Sequence, residues 1–191
     1  GRPYLPKSFK DDNHIEEIQG VYVPFWMFDG KASGEASYKA TTSKVYEKGD
    51  EEITETRHYE VSRAGSIGFE KIPVDASSKM PDDHMDSIEP YDYSGLKEFS
   101  TAYLPGFLAD KYDVSVKDSQ KRADTRCAST LEDALRGTVT GYDSCTLEHK
   151  QIDLKRGKVH YALLPVWMLH TKWNGQDFLF AMNGQTGKMV G

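Results

Sequence analysis

The acidic residues that follow Pro81 are the best candidates in this sequence for binding a cation. They are Asp82, Asp83 and Asp86, together with His84 among them, and the four follow one another almost without interruption. Carboxylate oxygens bind Ca²⁺ or Mg²⁺ when several of them converge on one point. An EF-hand needs acids at alternate positions, a central glycine and a distal glutamate, which this segment lacks. A solvated acidic loop is therefore the favoured interpretation, and these four residues are the only candidate metal ligands.

Other patterns that are typical of enzymes are incomplete. The segment Gly184-Gln185-Thr186-Gly187-Lys188 resembles the end of a phosphate-binding loop, but the full pattern needs glycine where Met182 stands and serine or threonine where Met189 stands. The six histidines show no HxH or HExxH spacing, and there is no GxSxG motif. We therefore assign no catalytic or cofactor-binding residue, and the interpretation leans away from an enzyme.

The net charge restricts the kinds of partner that the domain is expected to bind, and the cysteine content indicates the redox compartment. The formal net charge of −6 argues against a large phosphate-binding footprint, so this domain alone is not expected to bind nucleic acid. Cys127 and Cys145 form no CxxC pair, and two unpaired thiols in a reducing compartment are favoured over one disulfide. The longest stretch without a charge, from Val159 to Thr171, is shorter than the ~20 residues that cross a bilayer.

The elements that must position these residues are mostly strands. Alternating or β-branched segments predict strands, and glycine-containing segments between them predict turns. The predicted turns are Asp29-Gly30, 48–50 and 155–158. Asn174-Gly175 is the strongest hairpin signal, because both residues tolerate the positive φ angles of a type I′ turn. The predicted strands are 15–28, 34–47, 53–62, 67–74, 145–154, 159–171 and 177–182.

The middle of the chain is predicted to be helical over 94–137, after a loop over 75–94. Ser94 is expected to cap a short helix from Leu96 to about Leu104. Asp113 is expected to cap a longer helix over 114–136, which Gly137 ends. The second helix presents an apolar stripe that includes Leu131.

Two segments near the ends of the chain resemble each other. Val23-Pro24-Phe25-Trp26-Met27-Phe28 and Leu164-Pro165-Val166-Trp167-Met168-Leu169 share an apolar-Pro-apolar-Trp-Met-apolar pattern. Trp26 and Trp167 are expected to pack in the core rather than to form a ligand platform.

These patterns together predict an α+β fold. Mainly antiparallel sheet is expected from two similar strand-hairpin units, 15–62 and 145–190, with two or three helices between them packed on one face. Residues 1–14 are expected to form an extended arm, and 15–191 a single domain.

Six motifs together resemble an uncharacterised bacterial family whose members have an amino-terminal zinc ribbon, a middle domain and carboxy-terminal membrane helices. Members often carry names borrowed from the replication-restart helicase. The motifs are Tyr4-Leu5-Pro6-Lys7-Ser8-Phe9, Gly20-Val21-Tyr22-Val23-Pro24-Phe25-Trp26, Ile88-Glu89-Pro90-Tyr91-Asp92, Tyr103-Leu104-Pro105-Gly106-Phe107, Leu164-Pro165-Val166-Trp167 and Asn183-Gly184-Gln185-Thr186-Gly187-Lys188.

The resemblance implies a zinc-binding segment before residue 1 and a membrane segment after residue 191. It also implies that this domain lies on the cytoplasmic side of the membrane. Gly1 in place of methionine, and an end within a turn-like pattern, agree with a piece of a longer protein.

We expect a non-catalytic interaction or scaffold domain with a protein partner that the sequence does not identify and no cofactor of its own. One alternative is an enzyme or a domain that binds a small ligand or a divalent cation through the acidic 82–92 loop, and a second is nucleic-acid association through the zinc ribbon.

Overall fold

A computed structural model describes residues 14–98, 107–109 and 111–191; it does not describe the side chains of 14–17, Phe107 and Trp173. Within these ranges the chain forms six strands and two α-helices, with a short 3-10 turn at Tyr93–Gly95. In chain order they are β1 (His14–Lys48), β2 (Glu51–Asp75), α1 (Asp82–Ser87), β3 (Phe107–Ala109), α2 (Val116–Gly137), β4 (Ser144–Trp173), β5 (Gln176–Asn183) and β6 (Met189–Val190). The predicted arm lies almost wholly outside the described residues.

The six strands form a mainly antiparallel sheet, so the α+β prediction is confirmed at this level. The strand order is β2-β1-β4-β5-β6, and β3 pairs in parallel with β1 at 20–22. The β4–β5 ladder is antiparallel and runs from Trp173 opposite Gln176 to Val166 opposite Asn183. The β5–β6 pair is also antiparallel. The assignment of 15–191 to a single domain stays a prediction.

Two of the predicted turns are present, and two are wrong. A turn at Gly49 joins β1 to β2, and Asn174 and Gly175, with φ of 47° and 78°, form the predicted hairpin between β4 and β5. Asp29-Gly30 and 155–158 instead lie inside β1 and β4. A Cβ on Gly30 would lie 3.0 Å from the Lys155 carbonyl oxygen. This glycine therefore allows the close approach of two strands and does not start a turn.

The described residues divide into two compact units. The first unit comprises 14–27, 73–98, 107–109, 111–120 and Val159–Gly191, and the second comprises Phe28–Ile72 and Lys121–Lys158. In the first unit, Met85 of α1 and Ile88 are fully buried and pack against residues on one face of the sheet. The sheet residues in this core are Val21, Val23, Phe25, Met27, Ala162, Leu164, Val166, Met168 and Ala181.

The core of the second unit lies between the sheet and helix α2. Alternate residues Ala36, Tyr38 and Ala40 of β1 are buried, as the sequence pattern predicts, and Leu131 and Leu135 of α2 pack against them. The cysteines Cys127 and Cys145 are partly buried and free. Burial raises the pKa of the Cys127 thiol, which makes it a weaker nucleophile than an ordinary cysteine.

The start of α2 differs from the prediction, whereas its end at Gly137 agrees with it. Ser115 caps the helix: its hydroxyl accepts from the Asp118 amide at 3.2 Å and donates to the Asp118 carboxylate at 2.9 Å. Asp113 is therefore not the cap, because its carboxylate binds Ser78 instead. Residues 96–98 are not helical, and strand β3 lies within the range 94–137 that was predicted to be helical. The rest of the short helix predicted from Leu96 falls on 99–104, outside the described residues.

Candidate interaction surface

Three aromatic rings contact one another on the first unit, and two of them are largely exposed. The centroid of the Trp26 ring lies 5.1 Å from that of Tyr112 and 5.2 Å from that of Tyr161. The two tyrosine rings are 5.9 Å apart in an edge-to-face arrangement. Tyr112 is 54% exposed and Tyr161 is 46% exposed. We call these three residues the aromatic platform.

The platform exists because β1 places Trp26 on the sheet face opposite the core of the first unit. Phe25 and Met27, on either side of it in sequence, are buried in that core, and successive side chains of a strand point to opposite faces. Trp26 is half-buried, and its indole Nε1 donates to the Val114 carbonyl at 3.0 Å. Trp26 was expected in the core, but it is half-buried and lies at an exposed cluster. Trp167 is also half-buried, and it packs against the buried residues Leu169 and Met182.

A chain of hydrogen bonds positions the segment that contributes Tyr112. The Ala76 amide donates to the Pro24 carbonyl at 2.8 Å, and the Ala76 carbonyl accepts from the amides of Asp113 and Val114 at 2.9 and 3.1 Å. The Val114 carbonyl in turn accepts from Trp26. These bonds connect β1, the end of β2 and the segment before α2, so the Tyr112 ring is held against the indole by backbone as well as by side-chain contacts.

Asp113 adds a second anchor to this segment. Its carboxylate accepts the backbone N–H of Ser78 at 2.6 Å and also the hydroxyl of Ser78. These hydrogen bonds hold the pKa of the Asp113 carboxyl below its ordinary value. Because the folded-state pKa is depressed, this anchor is fully present above the unfolded-state pKa and is lost as the pH falls through the folded-state value.

We expect an NMR titration of the Asp113 carboxyl to give a pKa below that of an ordinary aspartate. The Ser78→Ala variant removes the hydroxyl donor and should move the Asp113 pKa back towards the ordinary value. An Asp113 pKa that is unchanged by Ser78→Ala would contradict the role given to this contact.

The composition of the platform suits binding rather than catalysis. Trp26, Tyr112 and Tyr161 supply flat apolar faces, and the tyrosines supply hydroxyl groups that can donate or accept. Exposed Val159 lies two residues before Tyr161 on β4, on the same side of the strand, and exposed Val116 follows the Tyr112 segment. Aromatic residues that are presented together at a surface are typical of protein-interaction sites.

A separate cleft of about 650 Å³ lies within the second unit. Three glycines line it, and charges of both signs surround it. Asp29 accepts the Lys71 amide at 2.9 Å, with Lys71 in the left-handed region at φ 51°. Arg156 donates to Asp124 at 2.6 Å. The lining residues are Asp29, Gly30, Lys31, Gly68, Phe69, Glu70, Lys155, Arg156 and Gly157. They include no histidine, serine or cysteine that could act as a nucleophile with a neighbouring base.

The candidate metal ligands lie on the short helix α1 of the first unit, so the prediction of a loop is wrong for residues 82–87. Met85, between them, is fully buried, and a ring nitrogen of His84 lies 3.0 Å from the Leu179 carbonyl oxygen. This contact assigns the proton to His84 Nε2, because the carbonyl can only accept. In the part of the chain that the structure describes, no three His, Cys, Asp or Glu side chains are grouped as metal ligands would be. A cation-binding role for Asp82, Asp83, His84 and Asp86 stays a prediction.

Sequence reasoning missed Tyr112 and Tyr161 as candidate functional residues. They belong to different elements far apart in the chain, so no local spacing connects them.

Comparison with known proteins gives a relative but no assigned activity. No protein-family model matches the chain, and no solved structure matches it. The chain is 42% identical over 186 residues to the "Uncharacterized protein YdjG" of Bacillus subtilis (strain 168). The match covers 97% of this chain and 54% of that protein, so the chain spans about half the length of the curated relative. Neither α1 nor α2 is both long and apolar enough to cross a lipid bilayer, and the described ranges contain no further α-helix.

Proposed function

We propose that this chain is a non-catalytic interaction domain that binds a protein partner through the aromatic platform. The observation that carries the proposal is the exposure of Tyr112 and Tyr161 while both rings pack on an anchored Trp26. A fixed aromatic surface loses little conformational entropy on binding, which favours its use in recognition.

The chemistry of the platform favours an extended segment rich in proline or aliphatic residues. Proline-containing peptides dock on grooves lined by tryptophan and tyrosine, because rigid apolar rings stack on aromatic faces and the peptide carbonyls accept from side-chain donors, which here are the hydroxyl groups of Tyr112 and Tyr161. Exposed Val159, two residues before Tyr161 on the same side of β4, extends the apolar area. The platform itself includes no charged side chain, which argues against selection of a highly charged partner.

The test is a selection of peptides on the intact chain, with a proline-biased library as the probe. Selected peptides should bind Tyr112→Ala and Tyr161→Ala at least about ten-fold more weakly, because truncating a central aromatic residue removes about 2 kcal/mol of binding free energy and ten-fold corresponds to about 1.4 kcal/mol. Tyr46→Ala is the matched control, since Tyr46 is an exposed tyrosine in the second unit. Failure to select any binder, or equal loss for all three variants, would overturn the proposal.

We also propose that this domain belongs to a larger membrane-anchored protein with a zinc ribbon and lies on the cytoplasmic side. The family resemblance supports this proposal, and so does the length of YdjG, of which the chain spans only about half. In this arrangement the zinc is bound outside the present chain, and the membrane is reached through a segment that follows it. The full-length gene product, tested for zinc content and for sedimentation with membranes, checks both parts.

We further propose that the two strand-hairpin units are related by an internal duplication. Two equivalent hydrogen bonds support it: Ala76 N–H donates to the Pro24 carbonyl at 2.8 Å, and Gly184 N–H donates to the Pro165 carbonyl at 2.9 Å. Pro24 and Pro165 occupy the same place in the repeated sequence pattern. The residue before each donor, Asp75 or Asn183, is polar and buried. The order β2-β1-β4-β5 places the first strands of the two hairpins side by side.

A further inference from the structure

The outer edge of β2 in the second unit is long and carries charged side chains of both signs. β2 stands at one end of the strand order, where it pairs with β1 alone among the described strands. Most of its residues between 51 and 66 are exposed. This stretch contains neither lysine nor proline, the residues that commonly block an edge from pairing. Such an edge can accept another strand through main-chain hydrogen bonds.

Symmetry restricts how two copies of this edge can pair. A twofold axis perpendicular to the sheet makes the two β2 strands antiparallel and keeps equivalent faces on the same side. Residues directly opposite each other in an antiparallel pair point to the same face. Each residue must therefore lie opposite a residue whose number has the same parity, which leaves only registers that are centred on a residue.

The register centred on Tyr59 is complementary in charge. It places Glu55 opposite Arg63 and His58 opposite Glu60, and symmetry repeats both pairs. In this register, no two side chains of like charge lie directly opposite each other between residues 51 and 67. Tyr59 lies opposite its own copy, and aromatic cross-strand pairs stabilise a sheet. We propose that the chain forms a twofold homodimer through the edge of β2, centred on Tyr59.

Neighbouring registers lack this complementarity. Centring the pair on Arg57 places two arginines in direct opposition, and centring it on Glu60 opposes two glutamates as well as Arg57 and Arg63. Centring it on His58 forms no ion pair. Like charges directly opposite each other destabilise a sheet, so the pattern selects the Tyr59 register over these alternatives.

Contacts within the second unit already orient two of the residues concerned. The Tyr59 ring packs edge-to-face on Tyr142 at 5.3 Å, and Arg63 Nε donates to the Thr138 hydroxyl at 3.0 Å. Glu55 accepts from Arg57 Nε at 3.0 Å, and both side chains are largely exposed. Glu55 can therefore exchange Arg57 for the Arg63 of a second copy.

The test compares the mass in solution of three forms of the full chain by analytical ultracentrifugation. The unmodified chain should dimerise, whereas Glu55→Arg and Arg63→Glu should each dimerise about ten-fold more weakly or worse, because each turns two attractive pairs into two repulsive ones. An equimolar mixture of the two variants should form a heterodimer, since both cross-strand pairs are then restored. Glu35→Arg, the same change on interior strand β1, is the matched control and should dimerise normally.

A second measurement reports on the register itself. In a chain with Cys127 and Cys145 replaced by serine, Tyr59→Cys should form a disulfide-linked dimer under mild oxidation, because its sulfur faces its own copy. Thr56→Cys, which faces Ser62 in this register, should not. A chain that stays monomeric up to about 0.1 mM would overturn the proposal, and so would a mixture of charge variants that does not recover, with circular dichroism showing that both remain folded.

Discussion

Asn183→Ala is expected to lower the free energy of unfolding by about 3–5 kcal/mol, because this fully buried side chain makes four hydrogen bonds. Its Nδ2 donates to the carbonyls of Ile88 and Pro90 at 2.9 and 3.0 Å. Its Oδ1 accepts from the amides of Gln185 and Thr186 at 2.8 and 3.0 Å. Alanine leaves these backbone groups without their partner, and a buried polar group without a partner costs about 1–3 kcal/mol.

Urea unfolding monitored by circular dichroism measures the loss at Asn183. Gln185→Ala is the matched control: Gln185 is an exposed amide in the same turn, which bonds the Asp92 amide and carbonyl at 2.8 and 3.2 Å. Its removal should lower the free energy of unfolding by about 1 kcal/mol or less. If the two variants unfold at the same urea concentration, the structural role given to Asn183 is wrong.

Gly34→Ala should be comparably damaging, for a steric reason. A Cβ at Gly34 would lie 2.3 Å from the Gln151 carbonyl oxygen and 3.0 Å from the Ile152 Cα, both in β4. These are backbone atoms within a sheet, so relief requires the strands to move apart rather than a side chain to rotate. We expect the free energy of unfolding to fall by about 3–5 kcal/mol and the Tm by on the order of 10 °C.

Gly68→Ala is the control for Gly34→Ala, because it makes the same substitution within a strand of the same unit. No atom lies within 4 Å of a Cβ at Gly68, so alanine fits there. Its effect should stay within about 1 kcal/mol, and the reduced freedom of the unfolded chain favours stabilisation. Differential scanning calorimetry of both variants decides the matter, and a similar Tm for the two would show that β1 and β4 are not as close at Gly34 as described.

The local sequence pattern predicts this fold well where the residues of a single strand, turn or helix end determine the geometry of that element. The alternation of Ala36, Tyr38 and Ala40 identified the buried face of β1, and Asn174-Gly175 identified a hairpin whose positive φ angles few other residue pairs tolerate. The glycine at the end of α2 was equally informative. In each case the physical constraint acts within a few residues.

Prediction fails where a residue serves a partner that is distant in sequence. Gly30 and Gly157 were interpreted as turn residues, yet each allows close approach of an opposing carbonyl, at 3.0 Å from the position of an added Cβ. Asp113 has the chemistry of a helix cap but binds Ser78, while Ser115 takes the capping role. The aromatic platform depends on residues from β1, β4 and the segment before α2, and no local spacing could relate them.

The position of β4 beside β1 has a consequence for how the protein is made. β1 ends at Lys48 and β4 begins at Ser144, so the first strand is synthesised long before its second neighbour exists. The hairpin of β1 and β2 can form early, but one side of β1 then has no partner while the intervening residues emerge from the ribosome. We expect refolding from denaturant to be slow and concentration-sensitive, and amides of β1 to gain protection from hydrogen exchange only after β4 has paired with β1.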